Sequence, residues 1–509
     1  MWVADGYVTA AIMVPMANLE VTIAQIEQLA KRKLYTLAVE QTLDAIESAP
    51  SNIDLKVNLA QIYYQAQDYI SAVGTIRDVL LQIPNSPELL HRAGLYAATA
   101  GMTDWALEVA TKAASLPGSL PVTWQLIANI HEKTGETELA AEALSRVPDD
   151  DMHYESNRTT EAKILYSRKQ YSEAIDLIKN YFEWAEKRST AKELASNNQY
   201  IEIWFQLVKI YNKIGEYDLA WESATQAHER ANQRWDQAKF DAMHENLRTI
   251  FSKENLRALA HSEAPYEQPV FIVGNARSGT SLLEQILSMH PDVGNGGELI
   301  VTGTIQRSMP QAMDSFNSYP DCIFDMRVED ANAFAKQYQK ATEWFSLGKK
   351  RVTNKSIGLQ AQVGMLSLIL PKSRAIMLHR HPLDNCLSCF TTNLVHTGHG
   401  YTKTIETLGH TWLTRRTMQD FWTEVAEIPV MNLHYDELVV NQEHETRRLI
   451  EFLDLPWNEE CLNFHKSRRI AATISYDQVN QKMYTSSSGR WKNYEKHLGP
   501  LIDILGDYL

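Results

Sequence analysis

At 509 residues the chain is too long for one compact core, and two or three domains are expected. A hydrophobic fraction of 44% is ordinary for a globular protein, and a net charge of −14 argues against general binding to nucleic acid or to an anionic membrane. Cys322, Cys386, Cys389 and Cys461 are too few and too scattered for a disulfide framework or a four-thiolate zinc site.

The N-terminal apolar run from Tyr7 to Ala17 lacks a basic flank and follows Asp5, so it makes a poor signal peptide and is too short to span a bilayer. No later stretch approaches the roughly twenty apolar residues that a membrane helix needs. A reducing cytoplasmic setting without membrane insertion is the expectation.

Ala38, Ala72, Ala106, Ala140 and Ala174 follow one another at intervals of 34 residues. Tyr35, Tyr69, Thr103, Thr137 and Tyr171 stand three residues ahead of them, Gly101 and Gly135 occupy turns, and Pro50, Pro84, Pro117 and Pro148 close successive units. A sixth unit, Gly215 to Ala220, follows an insertion of 12 residues. This period, with a small residue at a helix crossing, is the tetratricopeptide signature. One helix pair cannot bury its apolar face alone, so stacked neighbours form the core of a solenoid. The array is expected over 1–255, as a platform for an acceptor or partner, as a dimer contact, or as a brace.

Between about Lys253 and Gln268 the helical pattern fades. Residues 265–509 then read as alternating strands and helices, the pattern of a mainly parallel sheet covered by helices. The expected fold class is therefore an α solenoid followed by a P-loop-like α/β domain.

Val270 to Val273 reads as a buried strand, and Leu282, Leu283, Ile286 and Leu287 have the spacing of a helix with one buried face. Gly274 to Gly279 lies between them. Strand, glycine loop and helix N-terminus make an anion site. In the nucleotide P-loop G-x-x-x-x-G-K-[ST], a Lys meets the phosphates and a hydroxyl meets magnesium. Here Thr280 replaces that Lys, Ser281 follows, and the cation has moved into the loop as Arg277. The later apolar run Ala375 to Leu378 ends in His379, Arg380 and His381 rather than a metal-binding acid. The loop suits an anionic nucleotide that needs no metal-bound triphosphate.

The segment Arg277-Ser278-Gly279-Thr280-Ser281 resembles the 5′-phosphosulfate loop of sulfotransferases that use 3′-phosphoadenylyl sulfate (PAPS). Arg380-His-Pro-Leu-Asp384-Asn-Cys-Leu-Ser388 resembles their 3′-phosphate motif. The similarity is greatest to the tyrosylprotein sulfotransferase branch, especially to bacterial chains that join tetratricopeptide repeats to such a domain. It implies transfer of a sulfuryl group from PAPS to an acceptor hydroxyl, leaving 3′-phosphoadenosine 5′-phosphate (PAP), with no metal.

On that resemblance Glu298 is the candidate base, Lys355 stabilises the bridging oxygen and Arg277 neutralises the leaving group. Arg277, Ser278, Gly279, Thr280 and Ser281 cradle the 5′-phosphate, and Arg380 and Ser388 hold the 3′-phosphate. Tyr435, Ser475 and Arg490 are further nucleotide-side candidates. Asp384 reads as a capping or orienting acid, His379 and His381 as flanking residues, and Cys386-x-x-Cys389 as packing rather than a redox pair. The acceptor is a protein tyrosine or another peptide or glycan hydroxyl. A carbohydrate or small-alcohol sulfotransferase with dimerising repeats, or a non-catalytic nucleotide-binding scaffold, are the alternatives.

Overall fold

The computed structural model describes residues 16–32, 34–66, 68–150, 152–395, 398–466, 483 and 487–509. Ser475 lies outside the described residues. The chain divides into two compact units, Met1–Thr160 and Glu161–Leu509.

The first unit is made of antiparallel helix pairs, among them Ile53–Gln65 with Tyr69–Gln82 and Pro87–Thr99 with Thr103–Ser115. Side chains of Asn52, Asp68 and Ser86 accept N–H groups at helix starts, supplying partners that the first turn lacks. Ala38, Ala72, Ala106 and Ala140 are each fully buried, and each sits one turn into the second helix of its pair. Gly101 and Gly135 take positive φ at the turns, where a side chain would meet its own backbone.

The second unit continues the pattern with Ala174 on Tyr171–Arg188 and Ala220 on Tyr217–Arg230, both fully buried. At the turn before Tyr171 the positive-φ position is held by Lys169 (φ 63°), where the neighbouring repeats have glycine. Gln237–Ile250 and Lys253–Ala258 follow. Leu247, Ile250, Phe251 and Leu256 then join one buried cluster with Phe271, Val273, Met365 and Met377, so these helices belong to the core beside the sheet. The Phe251 ring fills the space at Gly364, where an added Cβ would come within 2.5 Å of it.

Five strands form the sheet: β1 (Pro269–Gly274), β2 (Val293–Asn295), β3 (Arg351–Asn354), β4 (Arg374–His379) and β5 (Val430–His434). Their order is β2-β3-β1-β4-β5, and every pair is parallel. Alternate side chains serve opposite faces: Phe271, Val273, Ala375 and Met377 enter one cluster, and Val270, Ile272, Ile376 and Leu378 the other. Both faces are therefore buried under helices, as a parallel sheet requires. The fold is α followed by α/β. Among the described residues no helix is long and apolar enough to cross a membrane.

Candidate active site

In parallel α/β sheets, ligands bind outside the carboxyl ends of the strands, where the strand order reverses. Here β1 is central and the chain departs from it to both sides. The loop after β1 holds Arg277 to Gly279, the loop after β2 holds Glu298, and Lys355 follows β3. Arg380 follows β4 and Tyr435 follows β5. Residues far apart in the chain thus meet along one sheet edge.

The β1 loop turns sharply, with Arg277 at φ 64° and Gly279 at φ 104°. Gly279 precedes the helix Thr280–Ser288, and a Cβ there would lie 2.4 Å from the Tyr435 ring. Only glycine permits this approach. Ser278 is buried, and its hydroxyl has no hydrogen-bond partner among the described residues. Thr280 and Ser281 begin the helix and are half-buried.

Arg380 donates to the Arg277 carbonyl oxygen at 2.8 Å and to the Ser487 carbonyl oxygen at 2.8 Å, and its guanidinium lies 4.9 Å from the Tyr435 ring centre. Its Nε is buried without a partner among the described residues. The Tyr435 hydroxyl lies 2.8 Å from Ser487 Oγ. Arg277 Nε donates to Ser388 Oγ at 3.2 Å, joining two residues that the sequence assigned to opposite phosphates.

Lys355 Nζ lies 2.8 Å from Glu298 Oε1. The lysine side chain is 2% exposed and the glutamate 49%, so a sunken cation is held under a carboxylate that faces outward. The Lys355 backbone N–H donates to the Gly297 carbonyl at 2.9 Å, fixing the two loops to each other. Ser356 donates its hydroxyl to Leu299 O at 2.8 Å and so braces the Glu298 loop.

Asp384 accepts the N–H groups of Gly489 at 2.6 Å and Trp491 at 2.8 Å, tying the C-terminal segment to the helix Pro382–Phe390. Asp436 does similar work, accepting the His381 N–H at 2.8 Å and the Ser488 hydroxyl. No local pattern points to Asp436's role, because its partners lie far off in the chain, one after β4 and one in the C-terminal segment. Trp491 stacks on His381 at 5.7 Å. Arg490 opens the 3-10 helix Arg490–His497, half-buried and within interaction range of Tyr494.

His379 is buried, and burial together with the nearby Arg416 cation holds its pKa down to about 4. It is therefore neutral, accepting from Arg416 at Nδ1 (3.0 Å) and donating from Nε2 to Asn432 Oδ1 (2.8 Å). Cys386 and Cys389 are free and buried, and burial raises both thiols, Cys389 to about 11. Cys389 donates to the Ala276 carbonyl at 3.2 Å, a packing contact under the loop rather than a reactive thiolate site.

Residues 269–459 match the family model described as "Sulfotransferase family". This region is a sulfotransferase-family domain. Ahead of the sulfotransferase domain, and outside it, residues 56–169 match a model described as "ChAPs (Chs5p-Arf1p-binding proteins)". An uncharacterized protein of Aquifex aeolicus is 29% identical over 311 residues, covering 59% of this chain and 41% of that protein. Protein-tyrosine sulfotransferase A of Caenorhabditis elegans is 24% identical over 220 residues, covering 42% and 56%. Protein-tyrosine sulfotransferase 1 of Danio rerio is 25% identical over 270 residues, covering 51% and 72%. The chain spans about half the length of the first two relatives.

Proposed function

We propose that the chain moves a sulfuryl group from PAPS to an acceptor hydroxyl, with a protein tyrosine as the acceptor and residues 1–255 as the acceptor or partner platform. The observation that carries this reading is the 2.8 Å Lys355–Glu298 pair on strand ends next to a phosphate-type loop. Such transfer needs the leaving phosphate cradled, the bridging oxygen stabilised and a proton taken from the acceptor.

The loop has the donors for the first task. The buried Ser278 hydroxyl lacks a partner among the described residues, as does Arg380 Nε on the side assigned to the 3′-phosphate, and a buried donor without a partner is costly unless a ligand supplies one. Backbone N–H groups at the start of Thr280–Ser288 add to the cradle. Arg277 contacts Ser388, and Arg380 donates to the Arg277 carbonyl, so the 5′-phosphate loop adjoins the residues assigned to the 3′-phosphate.

Lys355 takes the second task, its ammonium strengthening against charge that grows on the bridging oxygen. Glu298 takes the third: it is half-exposed, so an acceptor hydroxyl can reach it. Tyr435 and Arg490 fall on the nucleotide side. The tyrosine acceptor is supported by the two relatives named as protein-tyrosine sulfotransferases.

Calorimetry in EDTA tests the donor. PAP should bind tighter than adenosine 5′-phosphate by about 2 kcal/mol, the contribution of charge-assisted contacts to the 3′-phosphate; equal affinities would overturn it. Glu298→Gln should keep PAP binding and lose turnover by about two to four orders of magnitude.

A further inference from the structure

Glu284 takes no part in the transfer just described, yet it is a carboxylate buried to 5% exposure on the helix that follows the phosphate loop. Burying a carboxylate is unfavourable unless its oxygens are hydrogen-bonded. One of its oxygens, Oε1, accepts twice: from the Gly297 N–H at 2.9 Å and from the Thr353 hydroxyl at 2.9 Å. Gly297 adjoins Glu298 in the loop after β2. Thr353 lies on β3, two residues before Lys355.

The other bonds of the Glu298 loop given above, from the Lys355 N–H to the Gly297 carbonyl and from the Ser356 hydroxyl to Leu299 O, run to the segment after β3, whereas Glu284 ties the loop to the helix after the phosphate loop. Gly296 donates to the Thr353 carbonyl at 3.2 Å, and a Cβ there would lie 2.4 Å from that oxygen, so the loop lies flat on β3. Gly297 stands at φ 68°, which turns its N–H toward Glu284. The carboxylate therefore joins three things at one atom: the loop of the base, the strand of the lysine, and the helix whose first turn faces the phosphate.

We propose that Glu284 is a positioning residue that fixes the Lys355–Glu298 pair at a set distance from the phosphate loop. The proposal rests on the reading of Lys355 and Glu298 given above. A misplacement of about 1 Å in reacting groups can lower a rate a hundredfold, so such an anchor acts on turnover rather than on nucleotide affinity. Because both bonds fall on one accepting oxygen, an amide oxygen in the same place can replace it, though with weaker bonds.

The test compares Glu284→Ala, Glu284→Gln and Thr353→Val in the full chain, with PAP affinity by calorimetry and kcat and KM for PAPS. Glu284→Ala should lower kcat about 10- to 100-fold with PAP affinity within about twofold, and Glu284→Gln should recover to within about threefold of wild type. An unchanged kcat in Glu284→Ala, an equal loss in Glu284→Gln, or a parallel loss of PAP affinity overturns the proposal. Should Glu284→Ala not fold, Thr353→Val removes one of the two bonds at similar shape: a lowered kcat with unchanged PAP affinity supports the anchor, and an unchanged kcat overturns it. A second readout does not depend on which residue is the base. Lys355 is 3% exposed, and its acetylation by acetic anhydride in the PAP-free protein, read by mass spectrometry, should run about tenfold faster in Glu284→Ala, as the loop opens locally. Normal turnover in Glu298→Gln would remove the base assignment while this labelling still decides the anchor; equal labelling of wild type and Glu284→Ala overturns it.

Discussion

His228 Nε2 lies 2.9 Å from the carbonyl oxygen of Phe390. The histidine belongs to Tyr217–Arg230, the second helix of a repeat-type pair, and the carbonyl ends the helix that carries Ser388. The rings of the two residues also stack at 4.7 Å. A repeat helix thus satisfies the last turn of a site helix, where carbonyls lack partners within the helix. Replacing His228 with Ala leaves that buried oxygen unpaired and removes the stacking. A loss of about 2–3 kcal/mol in urea unfolding is expected, and an unchanged midpoint would show that the bond contributes nothing.

Burial holds His379 and His399 to pKa values of about 4, with Arg416 and Arg415 respectively adding to the effect, and burial also lowers His228. Below its ordinary value of 6.5 a histidine takes up a proton when unfolded but not when folded, so the unfolded chain binds more protons between about pH 6.5 and pH 4. Stability therefore falls as pH drops through this window. Between about pH 6.5 and pH 5, before most carboxylates titrate, His379 and His399 should each remove about 1.5 kcal/mol. Urea titrations at the two pH values check it.

Gly279→Ala places a methyl group against the Tyr435 ring at a backbone angle that side chains rarely adopt. Relief requires Tyr435 to leave the Arg380 guanidinium. The variant should lose about 2 kcal/mol of stability and bind PAP at least about tenfold more weakly. Thermal melts with and without PAP measure both effects.

Lys355→Ala should lower kcat far more than it weakens PAPS binding, because charge on the bridging oxygen grows only in the transition state. Arg277→Ala should damage both, since its guanidinium also contacts Ser388. A Lys355→Ala enzyme with normal kcat and only a raised KM would make the lysine a binding residue.

Lys169→Gly should stabilise the protein by about 0.5–1 kcal/mol, because it removes left-handed strain from a lysine at a turn where other repeats carry glycine. An unchanged melting temperature would mean that the turn carries no strain.

Much of this architecture was legible in local patterns. The 34-residue alanine spacing marked helices whose alanines are fully buried, and the strand-loop-helix pattern around Gly274 to Gly279 marked the centre of the sheet. What escaped were relationships with no local pattern. Glu284 reads as one polar residue between apolar positions, and nothing nearby in the chain names Gly297 or Thr353 as its partners. Lys169 holds a conformation that composition assigns to glycine. The approach of Phe251 to Gly364 joins segments whose own sequences are ordinary helix, so a fading helical pattern near Lys253 does not reveal that the preceding helix packs in the sheet's core.

The order of the sheet has a kinetic consequence. β1 registers Pro269 with Val352 on one side and Val270 with Arg374 on the other, so its partners arrive from distant stretches of chain. Closing such long loops before any reward in contacts makes parallel pairing slow, whereas helix pairs form from neighbouring residues. In refolding, helical signal should return early, while the ability to hold PAP should return only with the completed sheet, because each strand end contributes a loop to the site. Recovery of PAP binding would then time the last step of folding.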